Sequence, residues 1–147
     1  MDAIEFGTVM EIDLVTERER IPTIHPIING IQLREIARAV ELPFAQAEGS
    51  PDLAGSYKGL NDVRHAGFPW APDHFLVDGR VILLGCTCGD VGCWPLSAQV
   101  EISDSTVVWR DFGMPFRSWD HSSIGPFVFD KARYVEALER AVRGEAS

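Results

Sequence analysis

Apolar and polar residues alternate at the start of the chain. Ile4, Phe6, Met10, Ile12 and Leu14 share one parity, and Glu5, Glu11 and Asp13 take the other. A period of two over this length predicts a long strand across 4–15 with one buried face. Thr16-Glu-Arg-Glu-Arg20 reads as a polar turn or strand end. Beyond Pro22 and Pro26, Asn29-Gly30 signals a turn. Leu33, Ile36, Ala37 and Val40 then recur at the spacing of one apolar helix stripe, which predicts a helix over about 32–41. Pro43 is expected to end it, because the residue before a proline is pushed out of helical geometry.

Residues 43–73 carry no lasting periodicity and are punctuated by Gly49, Pro51, Gly55, Gly59, Gly67, Pro69 and Pro72. They read as a long surface loop, a kind of segment that often carries function. From His74 the pattern turns to strands. Phe75-Leu-Val77 and Arg80-Val-Ile-Leu-Leu84 flank Asp78-Gly79, a two-residue hairpin signal. The apolar run 81–84 suggests a central strand covered on both faces. Leu96–Ile102 and Thr106–Phe112 predict two further strands joined at Asp104-Ser105, and residues 113–129 form a Pro/Gly/Ser and aromatic loop. Asp130 is placed to cap a last helix running from Ala132 to Val142, with Gly144 as its stop. Together these predict a single α+β domain over residues 1–147, built on a mostly antiparallel sheet of about five strands with two main helices packed on it.

At 147 residues and 46% hydrophobic composition, the chain has enough material for a core without metal or disulfide staples. No run approaches the ~20 apolar residues of a membrane span, and the start lacks the pattern of a secretory signal. A cytoplasmic location with reduced thiols is the expectation. Twenty-two acidic residues face 13 basic ones, for a net charge of −9, so a nucleic-acid backbone would be repelled. A basic protein partner fits that charge better.

The chemically distinctive segment is Cys86-Thr-Cys88-Gly-Asp-Val-Gly-Cys93. On an extended backbone Cys86 and Cys88 point the same way, and the glycine-rich turn can return Cys93 to them. A zinc site would take these three sulfurs and a histidine, with His65 placed ahead of His74, His121 and His25. A Cys88–Cys93 disulfide would serve as a redox switch. A packed, glycine-rich strand connection with buried thiols is the plainer reading. The Cys93-Trp94 pair lacks the spacing of a papain-like nucleophile, and Asp120-His121-Ser122 lie too close in sequence to form a triad. His121 is expected to be solvated or to cap a helix. Asp62, Arg64, His65 and Asp73 could furnish a cleft under the long loop. Trp70 and Trp119, in proline-flanked loops, are expected to be exposed and, with His121, to contact a partner.

The segment from Gly85 to Leu96, with Val108-Trp-Arg-Asp-Phe112 and Gly125-Pro-Phe-Val-Phe-Asp130, resembles an uncharacterised family of small bacterial proteins sharing G-C-x-C-G-x-x-G-C-W-P-L. The resemblance extends to the Ile28-Asn-Gly30 turn and its helix. It implies a bacterial cytoplasmic origin and, since that family has no assigned activity, carries over no catalytic residues. The expectation is therefore a non-catalytic binding or interaction protein without a cofactor, immunity- or antitoxin-like in one concrete form. The alternative is a zinc-binding or thiol-redox domain using the cysteines.

Overall fold

The computed structural model describes residues 1–12, 20–60, 76–77, 80–87 and 94–142. In chain order its elements are β1 (Ile4–Ile12), β2 (Arg20–Ile28), β3 (Ile31–Gln32), α1 (Leu33–Ala47), a 3-10 turn (Pro51–Leu53), β4 (Tyr57–Lys58), β5 (Leu76–Val77), β6 (Arg80–Cys86), β7 (Leu96–Ile102), β8 (Thr106–Gly113), β9 (Phe127–Asp130) and α2 (Lys131–Val142). The protein is α+β and mostly antiparallel sheet with two main helices, as its patterning predicts. The strands divide into two sheets. One has the order β1-β2-β3; the other runs β4-β6-β7-β8-β9, with β5 paired to β6. Bridges at Asp2–Phe129 and Ile24–Leu60 tie the two together.

β2 runs through two prolines, which is why it escapes a reading by pattern. The backbone N–H of Ile24 donates to the Leu60 carbonyl at 2.8 Å, on the side away from β1. Successive N–H groups alternate sides along a strand, so Pro22 and Pro26 also turn their nitrogens away from β1. No rung of the β1–β2 ladder is lost, and a proline is tolerated at such positions. Asn29 and Gly30, both at positive φ, close the β2–β3 turn.

The helix α1 does not stop before Pro43. Pro43 lies inside it, and the helix continues to Ala47. The added turn is held by Ala45, fully buried beside Trp119. It ends where Gly49 takes φ 76°, its N–H donating to the Gln46 carbonyl and that of Ser50 to the Ala45 carbonyl. Both bonds are those of a Schellman stop. Residues 43–60, expected as loop, are thus helix end, 3-10 turn and a strand facing β6.

Within the second sheet the Leu76–Val77 and Arg80–Val81 pairing forms the expected hairpin. The sheet curls because each side of β7 carries a bulge, one between Ile82 and Leu84 of β6 and one opposite Ser97 and Gln99. Asp130 caps α2 as expected, its Oδ2 accepting the Arg133 N–H at 3.0 Å. The core centres on Trp109 of β8. Its ring meets Phe129 and Tyr134 edge-on at 5.1 and 5.9 Å, and Phe6 at 6.4 Å. Three elements, β1, β9 and α2, thus converge on one side chain of β8, an arrangement that aromatic edge-to-face packing favours. β1 buries Ile4 and Phe6 as predicted, but Met10 is exposed, paired with exposed Pro22 near the tip of the hairpin. No helix among the described residues is long and apolar enough to cross a membrane.

Candidate functional site

The buried face of α1 reads Leu33, Ala37, Glu41, Ala45, so a carboxylate occupies a core position on the helix. Glu41 is fully buried and every oxygen is engaged. Oε1 accepts the Gly55 N–H at 2.9 Å; Oε2 accepts the Tyr57 hydroxyl and pairs with His121 Nε2 at 2.7 Å. His121 Nδ1 lies 3.1 Å from the Trp119 carbonyl. A carbonyl only accepts, so Nδ1 is the donor there. Both ring nitrogens therefore face oxygen atoms of the protein. Burial, reinforced by the Glu41 charge, pushes the Tyr57 phenol far above its ordinary range, so Tyr57 acts here only as a hydroxyl donor.

One helical stretch further on, Glu48 repeats the arrangement. It accepts the Trp119 indole N–H and lies 3.8 Å from Arg117 Nε. Two carboxylates seven residues apart, Glu41 inside α1 and Glu48 capping its C-terminus, thus hold one segment, residues 114–126, through His121 and Trp119. Trp119 also packs edge-on against Trp94 at 6.1 Å, and the Arg117 guanidinium lies 5.1 Å from the Trp94 ring. The expectation that Trp119 and His121 are exposed is corrected: they are 7% and 3% exposed. Their proline-rich surroundings suggested open loop, whereas the polar partners that bury them come from a helix some 70–80 residues away.

Outside this clamp lies a cleft of about 600 Å3, lined among others by Arg80, Arg110, Asp111, Arg117, Asp120 and His121. The bulge in β8 shapes it. Asp111 takes φ 59°, and Arg110 and Asp111 are both exposed where strict alternation would bury one. Arg80 reaches across from β6 and donates through Nε to the Asp111 carbonyl at 2.8 Å. Backbone in this left-handed region costs an L-residue energy, less so for Asp than for a branched side chain. Asp111→Gly is expected to leave stability within about 1 kcal/mol, whereas Asp111→Val loses about 2 kcal/mol or more; urea denaturation of both variants checks this.

A second buried histidine sits on the opposite sheet. His25 is fully buried and its Nε2 pairs with Glu11, whose Oε1 also accepts from Thr23 Oγ1 at 2.8 Å. Arg34 stands 3.6 Å from the other oxygen. Gly59 makes this possible: a Cβ there would lie 2.7 Å from the Ile24 carbonyl oxygen and 2.8 Å from the His25 ring. Glu11, expected on the solvated parity, is therefore half-buried. Burial raises its carboxyl, but hydrogen bonds and charge from His25, with Thr23 and Arg34, outweigh that and hold it below its ordinary value. A carboxyl lowered on folding stabilises the native state above its unfolded value near ~4.3, and the contribution fades as pH falls through the folded value. The melting temperature is expected to drop on acidification below about pH 4, with a shallower drop in Glu11→Gln. Melting curves between about pH 3 and 7 test this.

Of the residues expected to hold zinc, Cys86 ends β6, buried and directly across from Tyr57. Cys88, Cys93 and His65, together with Trp70 and the Asp62, Arg64, His74 and Asp73 positions, lie outside the described residues. Among the described residues no group of three His, Cys, Asp or Glu side chains is placed to hold a metal ion. Sequence reasoning missed Glu41, Glu48 and the cleft arginines. A glutamate four residues after Ala37 on an apolar stripe was the available signal for the first. Family models, curated proteins and solved structures contain nothing that matches this chain.

Proposed function

We propose that this is a non-catalytic binding protein that recognises a protein partner through the segment 114–126. The observation that carries this reading is the double clamp of Glu41 on His121 and Glu48 on Trp119. Burying a carboxylate against a histidine is a demanding way to fasten a surface segment, and hydrophobic packing would do it with less desolvation. What the clamp achieves is a fixed geometry. A segment ordered before binding loses less entropy on association, so preorganisation converts into affinity. Phe116, 55% exposed, and Arg117 project from it, and aromatic and arginine side chains dominate interface hot spots.

The same bonds argue against acid–base chemistry at His121 and Glu41. Neither ring nitrogen nor either carboxylate oxygen is left over to exchange a proton with a substrate. The net charge of −9 suits a basic partner, as in an immunity- or antitoxin-like inhibitor, since opposite fields speed encounter. Immobilised protein is expected to retain a specific partner from a lysate of its native host, and Phe116→Ala to lose it with the melting temperature unchanged. Equal retention by Phe116→Ala, or no specific retention by the native protein, overturns the proposal.

A further inference from the structure

The chain carries 13 basic and 22 acidic residues, yet in the cleft beside segment 114–126 arginines outnumber carboxylates three to two. We propose that this cleft binds an oxyanion of the phosphate class between Arg80, Arg110 and Arg117. The inference deepens the binding role above and rests on it only for what carries the anion.

Among the described residues Arg80 has no carboxylate within ion-pair distance, whereas Arg110 and Arg117 each lie beside one. Arg80 is fixed through Nε to the Asp111 carbonyl, a neutral acceptor. Its planar end lies over Gly113, where a Cβ would stand 3.7 Å from Cζ. Among the described residues neither of its terminal NH2 groups has a partner, which leaves the fork geometry that suits phosphate oxygens. Arg117 rests by the Trp94 ring, with Glu48 behind it at 3.8 Å rather than in close contact. Arg110 is paired with Glu101, an exposed surface pair of little strength that an incoming anion can compete with.

Asp111 and Asp120, the two carboxylates of the lining, leave the arginines one charge in excess there. Asp120 turns its Oδ1 onto the Ser122 N–H at 2.9 Å, closing its own turn. Asp111 is the left-handed residue of the bulge, and its backbone carbonyl is what fixes Arg80. A strained residue that positions a cationic side chain beside a cleft is a pattern found at ligand sites. The floor of the cleft, Trp119 and His121, is locked from behind by α1, so the arginines project from a rigid base.

The test is thermal shift and titration calorimetry on the full chain with inorganic phosphate, against chloride at matched ionic strength. Phosphate at about 10 mM is expected to raise the melting temperature by about 2 °C or more, as a ligand near millimolar affinity does. Arg80→Lys and Arg117→Gln are each expected to weaken binding about tenfold, with melting temperatures in chloride close to the native one. A phosphoserine peptide of otherwise neutral sequence separates the sources. Binding tighter than phosphate by tenfold or more assigns the anion to a partner segment, and equal binding assigns it to a free ligand; both support the site. Equal shifts in phosphate and chloride, or shifts unaltered in both variants, overturn it. Partner retention that survives Arg80→Lys while phosphate binding fails leaves the segment 114–126 reading standing and removes only the oxyanion site.

Discussion

Replacing Glu41 with alanine is expected to destabilise the fold by about 3–5 kcal/mol, lowering the melting temperature by roughly 10 °C. The reason is asymmetry. The carboxylate answers three donors at once, the Gly55 N–H, the Tyr57 hydroxyl and His121 Nε2. Removing it strands all three in a place where Tyr57 and His121 have almost no contact with water. A buried group left without a partner costs its full desolvation. Removing the whole network is a different matter. A triple variant, Glu41→Met with Tyr57→Phe and His121→Leu, removes the buried side-chain donors together, strands only the Gly55 N–H and the Trp119 carbonyl, and is expected to recover most of the loss, within about 2 kcal/mol of the native protein. Urea denaturation of the single and triple variants separates the two effects. A single variant within about 1 kcal/mol of native would show that the carboxylate is not the hub of the network.

The second large effect is expected at Trp109. Trp109→Ala removes a fully buried ring that touches Phe6 of β1, Phe129 of β9 and Tyr134 of α2. The loss of a large aromatic from a packed core costs about 3–5 kcal/mol, because neighbours drawn from several elements cannot collapse together into the void. Trp109→Phe keeps the edge contacts and should cost less than half as much. Equilibrium denaturation gives both values; equal losses for the two variants would mean that ring size, not ring contact, sets the packing here.

Much of the architecture was legible because it is written in local pattern. The β5–β6 hairpin, strands β7 and β8, and the Asp130 cap of α2 depend on nearby residues and obey their usual rules. What pattern did not reveal depends on partners distant in sequence. Pro22 and Pro26 argue against a strand until their nitrogens are seen to face away from β1. Pro43 argues for a helix end until Ala45 is found packed with Trp119. Glu41, read at the end of a shortened helix, has no role until Tyr57 and His121 arrive from either side of the second sheet. The same holds for the cleft, since Arg80 meets Asp111 only across β7. Alternation alone gave no reason to expect the bulge that turns both Arg110 and Asp111 outward.

The claim on which the functional reading turns is that α1 holds segment 114–126 in one geometry. Amide hydrogen exchange of that segment tests it most directly. The Ile124 N–H donates to the His121 carbonyl at 3.0 Å, so its exchange reports whether the turn around His121 stays closed. In the native protein it should exchange as slowly as amides of β8, and in Glu41→Gln it should speed up at least tenfold while β7 and β8 keep their protection. Rapid exchange of Ile124 in the native protein, or protection indifferent to Glu41→Gln, would contradict the account.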